Sequence, residues 1–167
     1  MKVLQRLLLP ALMLLLVVGQ LRRSSDLTRA QHLLYSVDRR TVAMLRANAV
    51  DKTKLRGHLE ALADAQRLDP AEVATPTLQG SQHLMLGELE PARQAYFVAN
   101  RLESRPEILL NLGKVWYSSG GFDRAVRYFA LAVRVDPHLL QEVPESMRQR
   151  VSDALRSQDD AHGTNEN

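Results

Sequence analysis

The sequence predicts an all-α chain. It reads as an antiparallel helix-pair solenoid of about three repeats with a C-terminal capping helix, preceded by one N-terminal transmembrane or signal helix. Three observations predict this. Residues 7–21 carry no charge. Behind them, Arg67-Leu68-Asp69-Pro70, Arg101-Leu102-Glu103-Ser104 and Arg134-Val135-Asp136-Pro137 begin 34 and 33 residues apart. The 167 residues are 45% hydrophobic and 25% charged, which suits a packed domain and not a disordered chain. The implied organisation is an anchor or signal sequence at 1–23, a repeat domain at 24–156 and a disordered tail at 157–167. Within the domain the repeats cover about 27–70, 71–105 and 106–137, and the capping helix covers 144–156.

The leader begins with Lys2 and Arg6, and Leu7–Leu21 holds eight leucines. Each leucine favours insertion by roughly 0.3–0.6 kcal/mol, so the flanking Arg6 and Arg22 belong at the interfaces. Fifteen residues is short of the ~20 that span a bilayer, so Val3, Leu4 and a snorkelling Arg6 extend the segment. Two readings stay open: an uncleaved single-pass anchor in the inner (cytoplasmic) membrane with the repeats on the extracytoplasmic side, or a signal peptide whose cleavage releases the protein to the periplasm. Arg22, Arg23 and Arg29 nearly balance Lys2 and Arg6 across the span, so charge sets the orientation only weakly.

Asp26 is placed to cap a helix running to about Ala49, with Leu27, Ala30, Leu34, Val37, Thr41 and Leu45 as its buried stripe. A second helix over roughly 53–68 keeps Leu62 and Ala65, with His58 at the small-residue position. The next copy, about 73–104, carries Gly80, Gly87, Ala92, Tyr96 and Ala99, with Pro91 near a helix start, where proline is tolerated. The third is fullest. Pro106 opens a helix bearing Leu109, Leu112, Gly113 and Trp116, Ser118–Gly121 breaks it, and Ala125, Phe129 and Ala132 stripe the next, which Asp136-Pro137 ends. Small residues serve where two helix backbones approach closely, and aromatics fill the space between successive pairs. Met147, Val151, Ala154 and Leu155 give the last helix one apolar face against a charged one, as a terminal cap requires.

The spacing Leu109, Leu112-Gly113, Trp116, Gly120, Ala125, Phe129, Ala132, Pro137 resembles the tetratricopeptide repeat (TPR), and with the leader the chain resembles bacterial membrane-anchored TPR proteins. The resemblance implies a concave groove, lined by the first helix of each repeat, that holds a partner segment. On this sequence the groove positions are Thr77, Leu78, Ser81, Leu84 and Met85 in the second repeat, and Glu107, Leu110, Asn111, Lys114, Tyr117 and Ser118 in the third. Leu84, Met85 and Leu110 would be apolar sockets, and Asn111 and Lys114 polar contacts.

Composition and motifs exclude more than they include. With no cysteine there is no disulfide, thiol nucleophile or Cys-ligated metal. A net charge of +3 without a basic, aromatic-interleaved stripe argues against nucleic acid. The five histidines share no ligand spacing, and no catalytic motif occurs. The expectation is therefore a protein that is not an enzyme, with no cofactor, no metal and no small-molecule substrate. Its partners would be proteins, membrane or envelope proteins in particular. It would be a scaffold or assembly factor of a cell-envelope complex. The alternative is a non-catalytic subunit or activator of an envelope enzyme or secretion machine, contacting it through the transmembrane helix or convex face.

Overall fold

A computed structural model of the chain describes residues 2–163, with side chains for 13 and 15–157. Seven α-helices succeed one another among these residues, with no strand: α1 (Lys2–Arg46), α2 (Lys52–Leu68), α3 (Ala74–Leu86), α4 (Leu89–Leu102), α5 (Pro106–Ser118), α6 (Phe122–Val135) and α7 (Glu145–Gly163). A 3-10 turn, Pro137–Glu142, joins α6 to α7. α1 packs on α2, α3 on α4 and α5 on α6, and each pair stacks on the next through α2–α3, α4–α5 and α6–α7.

The breaks between helices have local causes. Asp51 accepts hydrogen bonds from the Thr53 and Lys54 amides at 2.9 and 3.3 Å, satisfying two donors at the start of α2. Those bonds hold its carboxyl below the usual range, the Lys54 amide most of all. Gly87 ends α3 at φ 78°, a left-handed cap that L-residues resist. Pro106 begins α5 where its missing N–H costs nothing.

Three core clusters lie along the stack. Ala30, Leu34, Val37, Leu62 and Ala65 fill the first pair. Tyr96 and Ala99 of α4 meet Ile108, Leu112 and Val115 of α5 in the second. Phe129, Val133, Leu139, Val143, Met147 and Val151 close the third against the 3-10 turn and α7. The glycines explain the approach of the helices. A Cβ on Gly80 would sit 2.8 Å from three atoms of the Tyr96 ring, and one on Gly113 would overlap the Phe129 ring.

Several expectations need correction. Asp26 caps nothing, because α1 runs unbroken from Lys2 through it to Arg46, and no backbone break separates 23 from 24. Leu45 is exposed, since the helix ends one residue later and α2 starts only at Lys52. α7 extends past 156 to Gly163, so the part of the tail at 157–163 is helical; residues 164–167 lie outside the described residues. Among the described residues no helix is long and apolar enough to cross a membrane. Of the apolar segment 7–21, the side chains of 7–12 and 14 lie outside those described.

Candidate functional site

The first helices of the three pairs enclose a pocket of about 420 Å³. α1 contributes Leu34, Tyr35 and Asp38, α3 contributes Ala74, Thr77 and Leu78, and the start of α5 contributes Arg105, Glu107 and Ile108. Leu34 and Ile108 are core residues whose edges form the floor. Tyr35 stands at the rim, 67% exposed.

The rim electrostatics follow from the Arg105 neighbourhood. Arg105 donates to the Glu103 carboxylate at 2.6 Å. That bond, reinforced by the charges of Glu107 and Glu72, raises the guanidinium above its ordinary value. The same bond holds the Glu103 carboxyl down. Arg105 is thus committed to Glu103, while Asp38 and Glu107 make no ion pair among the described residues. The pocket therefore offers apolar walls with a carboxylate-rich edge, which suits an apolar side chain flanked by hydrogen-bond donors.

Of the eleven predicted groove residues, Thr77, Leu78 and Glu107 line this pocket. Thr77 spends its hydroxyl on the Val73 carbonyl, at 2.8 Å. Ser81 bonds the Thr77 carbonyl and the Tyr96 hydroxyl, at 3.2 and 3.0 Å. Burial raises the Tyr96 pKa and the Ser81 bond partly offsets it. Leu84 packs against the second core cluster, and Met85 is half-buried beside it in sequence.

The C-terminal half of α5 departs from expectation. Leu110 is 2% exposed and packs in the third core cluster, so it is no socket. Lys114 donates to Glu142 at 3.0 Å, and the Tyr117 hydroxyl lies 3.2 Å from Ser146 Oγ. The 3-10 turn and α7 occupy the place where a further repeat would set its first helix, so these positions hold the cap. Asn111 is half-buried and Ser118 exposed, and neither side chain makes a hydrogen bond among the described residues. The pocket's other lining residues, Leu34, Tyr35, Asp38, Ala74, Arg105 and Ile108, were not among the predicted groove positions. Asp38 lies at i+4 from Leu34 and i+3 from Tyr35, so it neighbours both on the surface of α1.

His58 occupies a core position in a polar network. The Thr41 hydroxyl donates to the Val37 carbonyl at 2.9 Å, and the Gln82 amide donates to Thr41 at 3.0 Å. Thr41 Oγ1 and Gln82 Oε1 are therefore both acceptors toward His58 Nδ1, at 3.4 and 3.3 Å. The network assigns the proton to Nδ1 and ties α1, α2 and α3 together. On the surface, Glu88 accepts from His83 at 2.7 Å and from Arg56 at 3.0 Å, linking α3 to α2. Among the described residues no group of three or more His, Asp or Glu side chains is placed to hold a metal ion.

The fold has a solved counterpart. The chain is similar to the crystal structure of a thermophilic TPR protein from Thermus thermophilus, with a TM-score of 0.52 and 29% identity. The match covers 66% of this chain and 57% of that one, so the chain spans little more than half that protein's length. The fold is TPR-like. Such folds are generally protein–protein interaction scaffolds and typically non-catalytic. No family model matches the sequence. No curated protein matches it.

Proposed function

We propose that this protein is a membrane-anchored, non-catalytic scaffold or assembly factor of a cell-envelope complex, and that its groove takes a segment of a protein partner. The observation that carries this reading is the pocket at Leu34, Leu78 and Ile108, built by all three first helices. Its edge carries Asp38 and Glu107, so the partner segment presents an apolar side chain beside a basic or amide-bearing residue. The anchor reading draws on α1. Met13, Leu15, Leu16 and Leu21 are 61–70% exposed. Such a run of bare apolar surface calls for a lipid or protein cover. The inner membrane, with the repeats on the extracytoplasmic side, is the placement we adopt.

The same surface favours a second reading, in which the apolar part of α1 contacts the transmembrane helix of an envelope enzyme or secretion machine. One set of full-length variants separates the two. Under the groove reading, Leu78→Asp abolishes co-purification of the partner from native membranes and leaves helicity intact. If Leu78→Asp captures as much partner as the parent, the groove reading fails. Leu15→Arg with Leu16→Arg moves the protein into the carbonate-soluble fraction if α1 is the anchor. Carbonate extraction of the unmodified chain would end the anchor reading.

A further inference from the structure

A second surface lies on the face built by α4 and α6, away from the groove helices α1 and α3. Phe97, Trp116, Arg124, Arg127, Tyr128 and Leu131 line a pocket of about 370 Å³ there. Its walls are aromatic. Phe97 and Tyr128 meet edge to face with ring centroids 6.3 Å apart. Leu131 is exposed beside them.

The Trp116 ring lies between two guanidinium groups, Arg93 at 4.5 Å and Arg124 at 4.4 Å from its centroid. The two cations differ in their other partners. Arg93 is paired with the Glu90 carboxylate. Arg124 and Arg127 have no carboxylate partner among the described residues, because Asp123, next in sequence, is taken by Arg150 at 2.8 Å. A guanidinium stacked on an indole keeps its N–H edge free and its orientation fixed, ready for a carboxylate. The surface thus combines a small apolar socket with two uncompensated positive charges at its edge. Trp, Tyr and Arg together are also the residue types that carry most energy at protein interfaces.

We propose that this α4–α6 face is a second docking site, and that its partner is an acidic protein segment presenting one apolar or aromatic side chain. The apolar side chain fills the socket at Phe97, Tyr128 and Leu131. Flanking carboxylates pair with Arg124 and Arg127. The edge of the groove pocket is carboxylate-rich, so the two faces select segments of opposite charge, and the protein bridges two partners.

Trp116 is the single tryptophan of the chain, so its fluorescence reports the site directly. The probe is the peptide acetyl-Glu-Glu-Phe-Glu-Glu-amide, titrated into the full-length protein in neutral detergent micelles. A saturable change in Trp116 emission is expected. Replacing the four Glu by Gln, or the Phe by Ala, weakens binding at least tenfold. Arg127→Glu does the same, and Arg127→Gln gives an intermediate loss should the charge reversal disturb folding. Raising salt from low to high concentration weakens the acidic peptide only, as a charge-driven contact requires. Leu78→Asp, in the groove, leaves the titration unchanged. No saturable change, equal affinity for the Gln peptide, an unaffected Arg127→Glu variant, or loss of binding in Leu78→Asp would each overturn the proposal. So would a larger response to anionic vesicles than to the peptide, which would make the face a lipid site.

Discussion

Gly80→Ala tests the packing logic of the whole stack. The added methyl would meet three atoms of the Tyr96 ring at 2.8 Å, whereas ordinary contact begins near 3.4 Å. The ring must therefore withdraw by about 0.6 Å, the difference between those distances. It has little room, because Tyr96 is 1% exposed and its hydroxyl is tethered to Ser81 at 3.0 Å. Overpacking of this kind costs about 1–3 kcal/mol. A stretched Ser81 bond adds up to ~1 kcal/mol. Against that, exchanging glycine for alanine inside a helix gains ~1 kcal/mol. The net is a loss of up to about 3 kcal/mol, and ~1.5 kcal/mol at mid-range. Gly57→Ala is the control, since nothing lies within 4 Å of a Cβ there, and it should stabilise by roughly 0.5–1 kcal/mol. Urea denaturation of the full-length protein, followed by circular dichroism at 222 nm, reads both. Tyr96→Phe in the Gly80→Ala background frees the ring from Ser81, so the double variant should lose less than the sum of the singles. A Gly80→Ala protein stabilised as much as Gly57→Ala would refute the argument that glycine sits there for want of space.

Three further outcomes rest on the same structure. Gln82→Leu should cost about 1–3 kcal/mol in the same urea assay, because His58 Nδ1–H loses an acceptor and Thr41 a donor in a buried setting; a neutral result would mean the network is not formed. Leu110→Asp should melt the protein at far lower temperature by burying a charge beside Phe129 and Met147, and a variant that folds normally but loses partner would restore Leu110 to the groove. Glu88 titrates below the usual carboxylate value of 4.5, chiefly through the His83 bond, with Arg56 adding to it. A carboxyl lowered in the folded state contributes stability that is full above its unfolded value and is lost as pH falls through the folded one. The difference in Tm between parent and Glu88→Gln should therefore be full above pH 4.5 and close as pH falls below it, and a gap that does not close at low pH would rule this out.

How much of the fold and groove was legible depends on how locally each feature is encoded. The third pair was read nearly residue by residue, because Pro106, Gly113, Phe129 and Asp136-Pro137 each act within one pair of helices. The second pair forms with Pro76 in the first turn of α3, where a proline breaks no internal hydrogen bond. The first helix defied its cap signal at Asp26. A residue type that favours caps does not set a helix start when the preceding segment, rich in leucine, is itself a good helix former. The accessibility of the predicted groove positions depends on more than local pattern. Family spacing places Leu110, Lys114 and Tyr117 on the correct face of α5, but whether that face is open depends on the course of the chain after the repeat. Here Leu139, Val143 and Met147 bring the chain back over it. The Thr41–His58–Gln82 network was beyond reach of pattern, since its members come from three helices at separations of 17, 24 and 41 residues.

The unbroken course of α1 sets a torsional register between its two ends. From Leu21, the last residue of the apolar segment, to Leu34 in the groove floor there are thirteen residues of continuous helix. At 1.5 Å and ~100° per residue, that is a spacer of ~20 Å with a fixed azimuth. Whatever seizes the apolar end therefore dictates the compass bearing of the pocket, as a shaft dictates the angle of a key. A one-residue insertion near Ser24 would swing the groove by ~100°, while seven residues would add ~10 Å and return it to within ~20° of its starting direction. Bearing and distance are thereby separable by insertion length alone, and a machine that needs its docking site aimed in one direction would feel the first insertion far more than the second.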